Sequence, residues 1–250
     1  MDAPADDAGE VDEGERATLI DLHRRGARLR SAFDLERDAR AVTDLILLSN
    51  GSADLDGLAE FSSLTSLRIS GRAKLPDNVS FPRLRYYDGP LEQSVLRSPM
   101  LRELLCAESR TPMPAGLEVA GPVERFYANG DGGQAHFPEF AVPEALLLVN
   151  VAFYESLDLR ALDGRRLRQM ILERIARVLH VDRLANLPNL EKLALIDVGR
   201  VEPAQSAPCL RASSGVSVSG RHRFDPETRR TLRALGWTFP PSERMYVSGG

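Results

Sequence analysis

The sequence predicts an α/β solenoid, with one parallel β-sheet along a concave side, short helices or loops along the convex side, and a cap at each end. Three observations carry that prediction. The chain of 250 residues holds 36 leucines, and many fall in a recurring apolar-x-x-apolar-x-apolar pattern. Copies start at residues 42, 64, 84, 101, 123, 146, 167 and 190, in steps of 17 to 23 residues that average about 21. Proline stands one to three residues before five of those starts, as Pro82, Pro99, Pro122, Pro143 and Pro188. With φ fixed and no amide proton to donate, proline suits the approach to a strand, before any ladder bond is needed.

Taken in order, residues 1–15 carry seven acids (Asp2, Asp6, Asp7, Glu10, Asp12, Glu13 and Glu15) and no base. They read as a disordered acidic tail, with neither the basic start nor the apolar stretch of a secretory signal. Residues 16–40 read as an N-terminal cap. It is either a helix turning Leu19, Ile20, Leu22 and Leu29 inward, or a zeroth strand at Leu19-x-x-Leu22, 23 residues before Val42. Residues 41–220 read as the solenoid, with about eight to nine repeats. Its strand copies are Val42/Leu45/Leu47, Leu64/Leu67/Ile69, Leu84/Tyr87/Gly89, Leu101/Leu104/Cys106, Val123/Phe126/Ala128, Leu146/Val149/Val151, Leu167/Met170/Leu172 and Leu190/Leu193/Leu195.

Side chains alternate across a strand, so these apolar residues point into a core that only stacked neighbours can complete. The second halves of the repeats (Leu55/Leu58/Phe61, Leu157/Leu159/Leu162, Leu184/Leu187) predict short helical turns or loops on the convex side. A degenerate ninth copy is read at Leu210, Val216 and Val218. Residues 221–250 read as a C-terminal cap helix and tail. Asp225-Pro226-Glu227 starts a helix well, Leu232 and Leu235 follow, Gly236 closes it, and Trp237 and Phe239 fold onto the last repeat.

The pattern resembles the leucine-rich repeat family of bacterial type, with degenerate copies, over about residues 42–200. Leu64/Leu67/Ile69 and Leu190/Leu193/Leu195 match the signature Leu-x-x-Leu-x-Leu well, and the other six copies match loosely. One departure matters. The family's asparagine, nine positions after the first leucine, is replaced by Gly51, Ala73, Gln93, Arg110, Gly132, Glu155, Ala176 and Gly199. Turn carbonyls that the asparagine ladder would satisfy must then find other partners, so the turns should be irregular. The resemblance also implies a recognition scaffold, of the kind that serves as a regulator, an effector or a neutraliser of a toxin.

Catalytic and cofactor motifs are not found. A P-loop needs Gly-Lys, but Lys74 follows Ala73 and Lys192 follows Glu191. Asp54-x-Asp56-Gly57 has the opening of a calcium loop, yet Thr65 stands where the closing acid belongs. Asn129-Gly130-Asp131-Gly132-Gly133 lacks a strand–GxGxxG–helix context and reads as a polar turn. The histidines (His23, His136, His180, His222) are far apart without ligand spacing. Cys106 sits at an inward strand position, where it should be buried and inert. With Cys209 it shows no paired spacing, so a reducing cytoplasm is expected. No cofactor and no small-molecule substrate are expected. The longest apolar run, Ala145 to Val149, falls far short of the roughly 20 residues of a membrane-spanning helix, and no membrane partner is expected.

Arginine outnumbers lysine 30 to two. The cluster Arg221, Arg223, Arg229, Arg230 and Arg233 offers an alternative site for nucleic acid or another anionic partner, although Asp225 and Glu227 dilute it. An enzyme subunit ranks lower still, because a shallow wet sheet is a poor place to shift a pKa.

Residues between the inward leucines project from the concave sheet. Arg68, Tyr86, Asp88, Glu103, Leu105, Arg125, Tyr127 and Leu148 form an amphipathic stripe near its middle. Aromatics and arginine at the centre with charges around them are what protein interfaces favour. These eight are the predicted partner-binding residues, and another protein is the predicted partner. A one-residue slip near Leu146 would exchange Leu148 and Asn150 for Leu147, Val149 and Val151.

Overall fold

The computed structural model describes residues 17–22, 28–33, 38–49, 53–71, 75–76, 79–106, 113–130, 132–202 and 217–219, with 226 and 230. Its main element is a parallel sheet that runs β1 (Thr18–Leu22), β2 (Asp44–Ser49), β3 (Ser66–Ser70), β4 (Tyr86–Asp88), β5 (Glu103–Cys106), β7 (Arg125–Asn129), β10 (Leu148–Asp158), β11 (Gln169–Leu179), β12 (Lys192–Ile196) and β14 (Ser217–Ser219). Each strand pairs with the next one along the chain's winding, so the chain is a solenoid. β6 (Glu118–Val119) and β9 (Glu139–Phe140) form a separate parallel pair.

Every apolar position of the eight strand copies is buried, from Val42 at 8% exposure to Leu195 at 1%. Cross-strand partners keep the copies in step: Leu45 stands opposite Leu67, Leu67 opposite Tyr87, Leu104 opposite Phe126, Phe126 opposite Val149 and Met170 opposite Leu193. Near Leu146 the register is the predicted one, with Val149 and Val151 inside and Leu148 and Asn150 outside. In the ninth copy Val218 stands opposite Leu193. It therefore takes the position of the second apolar residue rather than the third, because Leu210 and Val216 are spaced too widely for the motif.

Ahead of successive strands one backbone carbonyl accepts two amides from the next turn. Thr43 O receives Thr65 N–H and Ser66 N–H at 2.8 and 3.0 Å, and Thr65, Arg85, Arg102, Glu124, Leu147 and Arg168 repeat the arrangement. Buried carbonyls need such partners wherever side chains do not supply them.

The side of the repeat away from this sheet departs from expectation. The α-helical segments described in full are one turn at α1 (Leu29–Ala32) and one at α2 (Gln93–Leu96), with single helical positions at Asp38, Pro226 and Arg230 and brief 3-10 turns at Ala39–Ala41, Leu58–Glu60, Pro143–Ala145 and Val181–Asn186. Of the predicted helical turns or loops, those at Leu58 and Leu184 are 3-10 turns, but the described residues hold little helix and regular convex helices are not formed. In the second half of the chain a second run of parallel strands takes their place. β10 and β11 continue past a corner, and their far halves pair with each other, with β8 (Gln134–His136) and with β13 (Arg200–Glu202). Leu157, read as part of a helical turn, lies in β10 opposite Ala135 and Val178.

At that corner Phe153, Arg174 and Asp197 adopt φ of 64°, 49° and 53°. Left-handed backbone at residues other than glycine carries strain on the order of 1–3 kcal/mol each, and a bulky side chain there is uncommon.

At the N-terminal side the strand alternative describes residues 18–22. β1 pairs with β2, placing Ile20 and Leu22 in the core, but Leu19 is 61% exposed rather than inward. Alternation across a strand forces that outcome. The acidic tail and the C-terminal cap with its arginine cluster lie outside the described residues, apart from Pro226 and Arg230. Among the described residues no helix is long and apolar enough to cross a membrane.

Candidate functional site

Strand alternation delivers the eight predicted residues to the outward sheet face in two adjacent rows. The first row reads Tyr86, Glu103, Arg125 and Leu148, on β4, β5, β7 and β10; each is the register partner of the next. Along the second row Arg68, Asp88, Leu105 and Tyr127, on β3, β4, β5 and β7, are joined in the same way. All eight therefore form one contiguous patch. Arg68 and Arg125 are exposed, and the other six are half-buried.

The patch is internally organised. The Arg68 guanidinium lies 5.0 Å from the Tyr86 ring centroid, a cation–π geometry that fixes a long side chain over a flat one. Arg125 Nη1 donates to Glu103 Oε1 at 3.4 Å, and at one margin Ser66 Oγ donates to Asp44 Oδ1 at 2.9 Å. Burial raises the Tyr86 phenol above its ordinary range, with the Asp88 charge adding to the shift and Arg68 opposing it. Leu105, Tyr127 and Leu148 supply the apolar middle. Such a face offers hydrogen bonds, charge and flat apolar area.

Just beneath it, Cys106 is wholly buried, and burial followed by the Asp88 charge pushes its thiol well above the ordinary range. That keeps it protonated and unreactive. Tyr87 is also wholly buried, and its hydroxyl donates to the Pro90 carbonyl at 2.6 Å. Burial above all raises its pKa strongly. A depression of about 450 Å³ opens beside the start of β2, lined by Thr18, Phe33, Asp38, Ala41, Val42, Thr43 and Asp44. It touches the sheet face only at Asp44, two strands from Tyr86.

Sequence reasoning missed two further clusters. Asp158, with its side chain only 11% exposed, has His136 Nδ1 at 3.6 Å, His180 Nε2 at 3.8 Å and an Arg160 terminal nitrogen at 3.7 Å. Its Oδ1 also accepts the Arg160 amide at 2.8 Å, and an Arg160 terminal nitrogen lies 3.1 Å from His180 Nε2. The signal was available: His136, Asp158 and His180 are each 22 residues apart, one turn of the solenoid. That spacing brings the three side chains together only across turns, not along the chain. The second cluster is the corner column of Phe153, Arg174 and Asp197, spaced by 21 and 23 residues. Among the described residues no group of three or more His, Cys, Asp or Glu side chains is placed to hold a metal ion.

Searches against protein-family models, curated proteins and solved structures each returned no match.

Proposed function

We propose that the chain is a non-catalytic recognition scaffold of leucine-rich-repeat type, which binds a partner protein on the outward face of its sheet. The observation that carries this reading is the two-row patch from Arg68 to Leu148. Aromatic, aliphatic and arginine side chains meet there across five neighbouring strands, the composition that dominates binding energy at protein interfaces. A rigid repeat array also holds those side chains in place before binding, which lowers the entropic cost of docking. The partner is of the kind that a cytoplasmic regulator, effector or toxin-neutralising protein would engage.

The test is a tagged pull-down from native extract, run beside an Arg125→Glu/Tyr127→Ala double variant whose circular dichroism and melting match the wild type. A protein held by the wild type and lost by the variant supports the reading. A partner retained equally by both removes the sheet face as its binding site.

A further inference from the structure

The depression of about 450 Å³ that opens where β1 and β2 enter the sheet is large enough to hold a small organic group. Among the described residues its lining carries two carboxylates, Asp38 and Asp44, two hydroxyls, Thr18 and Thr43, and no basic side chain. Phe33 supplies an aromatic wall, and its ring packs on Phe61 with the centroids 5.5 Å apart. Asp44 is oriented by the Ser66 hydroxyl, which donates to its Oδ1 at 2.9 Å, and a carboxylate has acceptor sites for further donors. Arg68, on the neighbouring strand β3, is turned the other way, with its guanidinium over the Tyr86 ring of β4. Arg40 is exposed on the 3-10 turn Ala39–Ala41 and is not part of the lining.

Beside the depression stands the most exposed large hydrophobic side chain among the described residues. Leu19, on β1, is 61% exposed and lies opposite half-buried Ile46 of β2. Ile46 is in turn the register partner of Arg68, and Asp44 is joined to Tyr86 through Ser66. Both rows of the patch therefore run on, without a break in register, to the depression and its apolar neighbours. Two carboxylates and an aromatic wall favour an ammonium or guanidinium group. The long stem of a basic side chain also covers apolar surface while its charged end reaches a polar site.

We propose that this depression is a further contact point of the recognition surface and takes a lysine or arginine side chain of the partner protein. An adjacent apolar side chain of the partner rests on Leu19 and Ile46. The inference rests on the reading of the chain as a recognition scaffold, and it names the partner's chemistry: a basic residue beside an apolar one.

A phage-displayed library of random dodecapeptides, selected on the full chain, supplies the probe. Enriched peptides are synthesised with a fluorophore. Their Kd is read by anisotropy on the wild type, Asp38→Asn/Asp44→Asn, Leu19→Ser and Arg125→Glu/Tyr127→Ala, each matched to the wild type in circular dichroism. The expected peptides carry Lys or Arg next to an aliphatic or aromatic residue, and Asp38→Asn/Asp44→Asn weakens them about tenfold or more. Citrulline in place of the peptide's arginine, or norleucine in place of its lysine, removes the charge at similar shape. That exchange should cost about tenfold on the wild type and little on Asp38→Asn/Asp44→Asn. Asp38→Asn alone, at an exposed position, repeats the comparison with the fold undisturbed. Equal losses on wild type and variant overturn the proposal, because the peptide's charge then acts elsewhere; enriched peptides without a basic residue overturn it too. Peptides weakened only by the Arg125/Tyr127 change overturn the depression as a contact but leave the scaffold reading standing. A library that yields no enriched peptide, or peptides indifferent to every variant, counts against both.

Discussion

Tyr87 and Gly89 stand on neighbouring inward positions where most other repeats place two aliphatic side chains, and where Phe126 and Ala128 form another large-and-small pair. A Cβ added at Gly89 would sit 2.9 Å from the Tyr87 hydroxyl oxygen, and 3.1 Å from both Tyr87 Cζ and Ile69 Cβ. The phenol cannot simply swing aside, because Tyr87 is fully buried and its hydroxyl is tied to the Pro90 carbonyl at 2.6 Å. Gly89→Ala should therefore overpack the core and cost about 1–3 kcal/mol. Tyr87→Leu alone leaves a void and an unpaired carbonyl, and should cost about 2–4 kcal/mol. Combined, the two changes restore an ordinary large-and-small pair. The double variant should then lose no more than Tyr87→Leu alone, a coupling of about 2 kcal/mol. Urea unfolding followed by circular dichroism measures all four chains, provided the slope m is unchanged. Losses that simply add would refute the reasoning, since they would mean that Gly89 and the phenol do not share one space.

Three other expectations follow from buried groups. Phe126 is fully buried against Phe137 and Phe140, with ring centroids 6.0 and 5.6 Å away in edge-to-face geometry; Phe126→Ala should lose about 3–5 kcal/mol in urea unfolding and Phe126→Leu under about 1.5 kcal/mol. Asp158→Asn keeps an acceptor for the Arg160 amide but removes the charge that faces His136, His180 and Arg160, so it should cost about 1 kcal/mol and Asp158→Ala about twice that; equal losses would mean that the amide hydrogen bond contributes nothing and the charge accounts for the whole effect. Alkaline pH should weaken the fold. The Cys106 and Tyr87 pKa values are both raised, chiefly by burial, so the unfolded chain releases protons that the folded chain keeps. Stability is then fully present below the unfolded values of 9.0 and 10.0. It falls as pH rises above them, by up to about 1.4 kcal/mol per pH unit for each group. Cys106→Ala should move the onset of this loss from near pH 9 toward pH 10, as read from urea midpoints between pH 8 and 11.

Periodicity made one side of the molecule legible and left the other obscure. Inward positions repeat because each must fill the same space, so Leu104, Phe126 and Val149 announce their strands whatever their outward neighbours are. The outward patch followed by alternation alone, and all eight nominated side chains share one face. The second run of strands carried no such mark. Tyr154, Leu157, Ile175, Val178 and Val201 are buried there, but the spacing of Leu157, Leu159 and Leu162 reads equally well as a helical turn. Local spacing cannot separate those cases when hydrogen bonds to the neighbouring turn decide the outcome. The corner was invisible for a related reason: nothing in the identities Phe, Arg and Asp signals left-handed backbone, which glycine would have announced. Gly130, by contrast, was read only as part of a polar turn, although the Tyr154 ring lies where its Cβ would be.

The unequal lengths of the strands give the array a gradient of resistance. β10 and β11 are eleven residues each and are paired on both sides of their corner, whereas β4 has only three residues. In a linear array each turn borrows stability from its immediate neighbours alone, so amide exchange should be slower at β10 and β11 than around β4. The patch from Arg68 to Leu148 spans that seam, with its first row crossing from β4 to β10. Anything that grips the whole patch would splint a short-stranded joint of the solenoid to its firmest section.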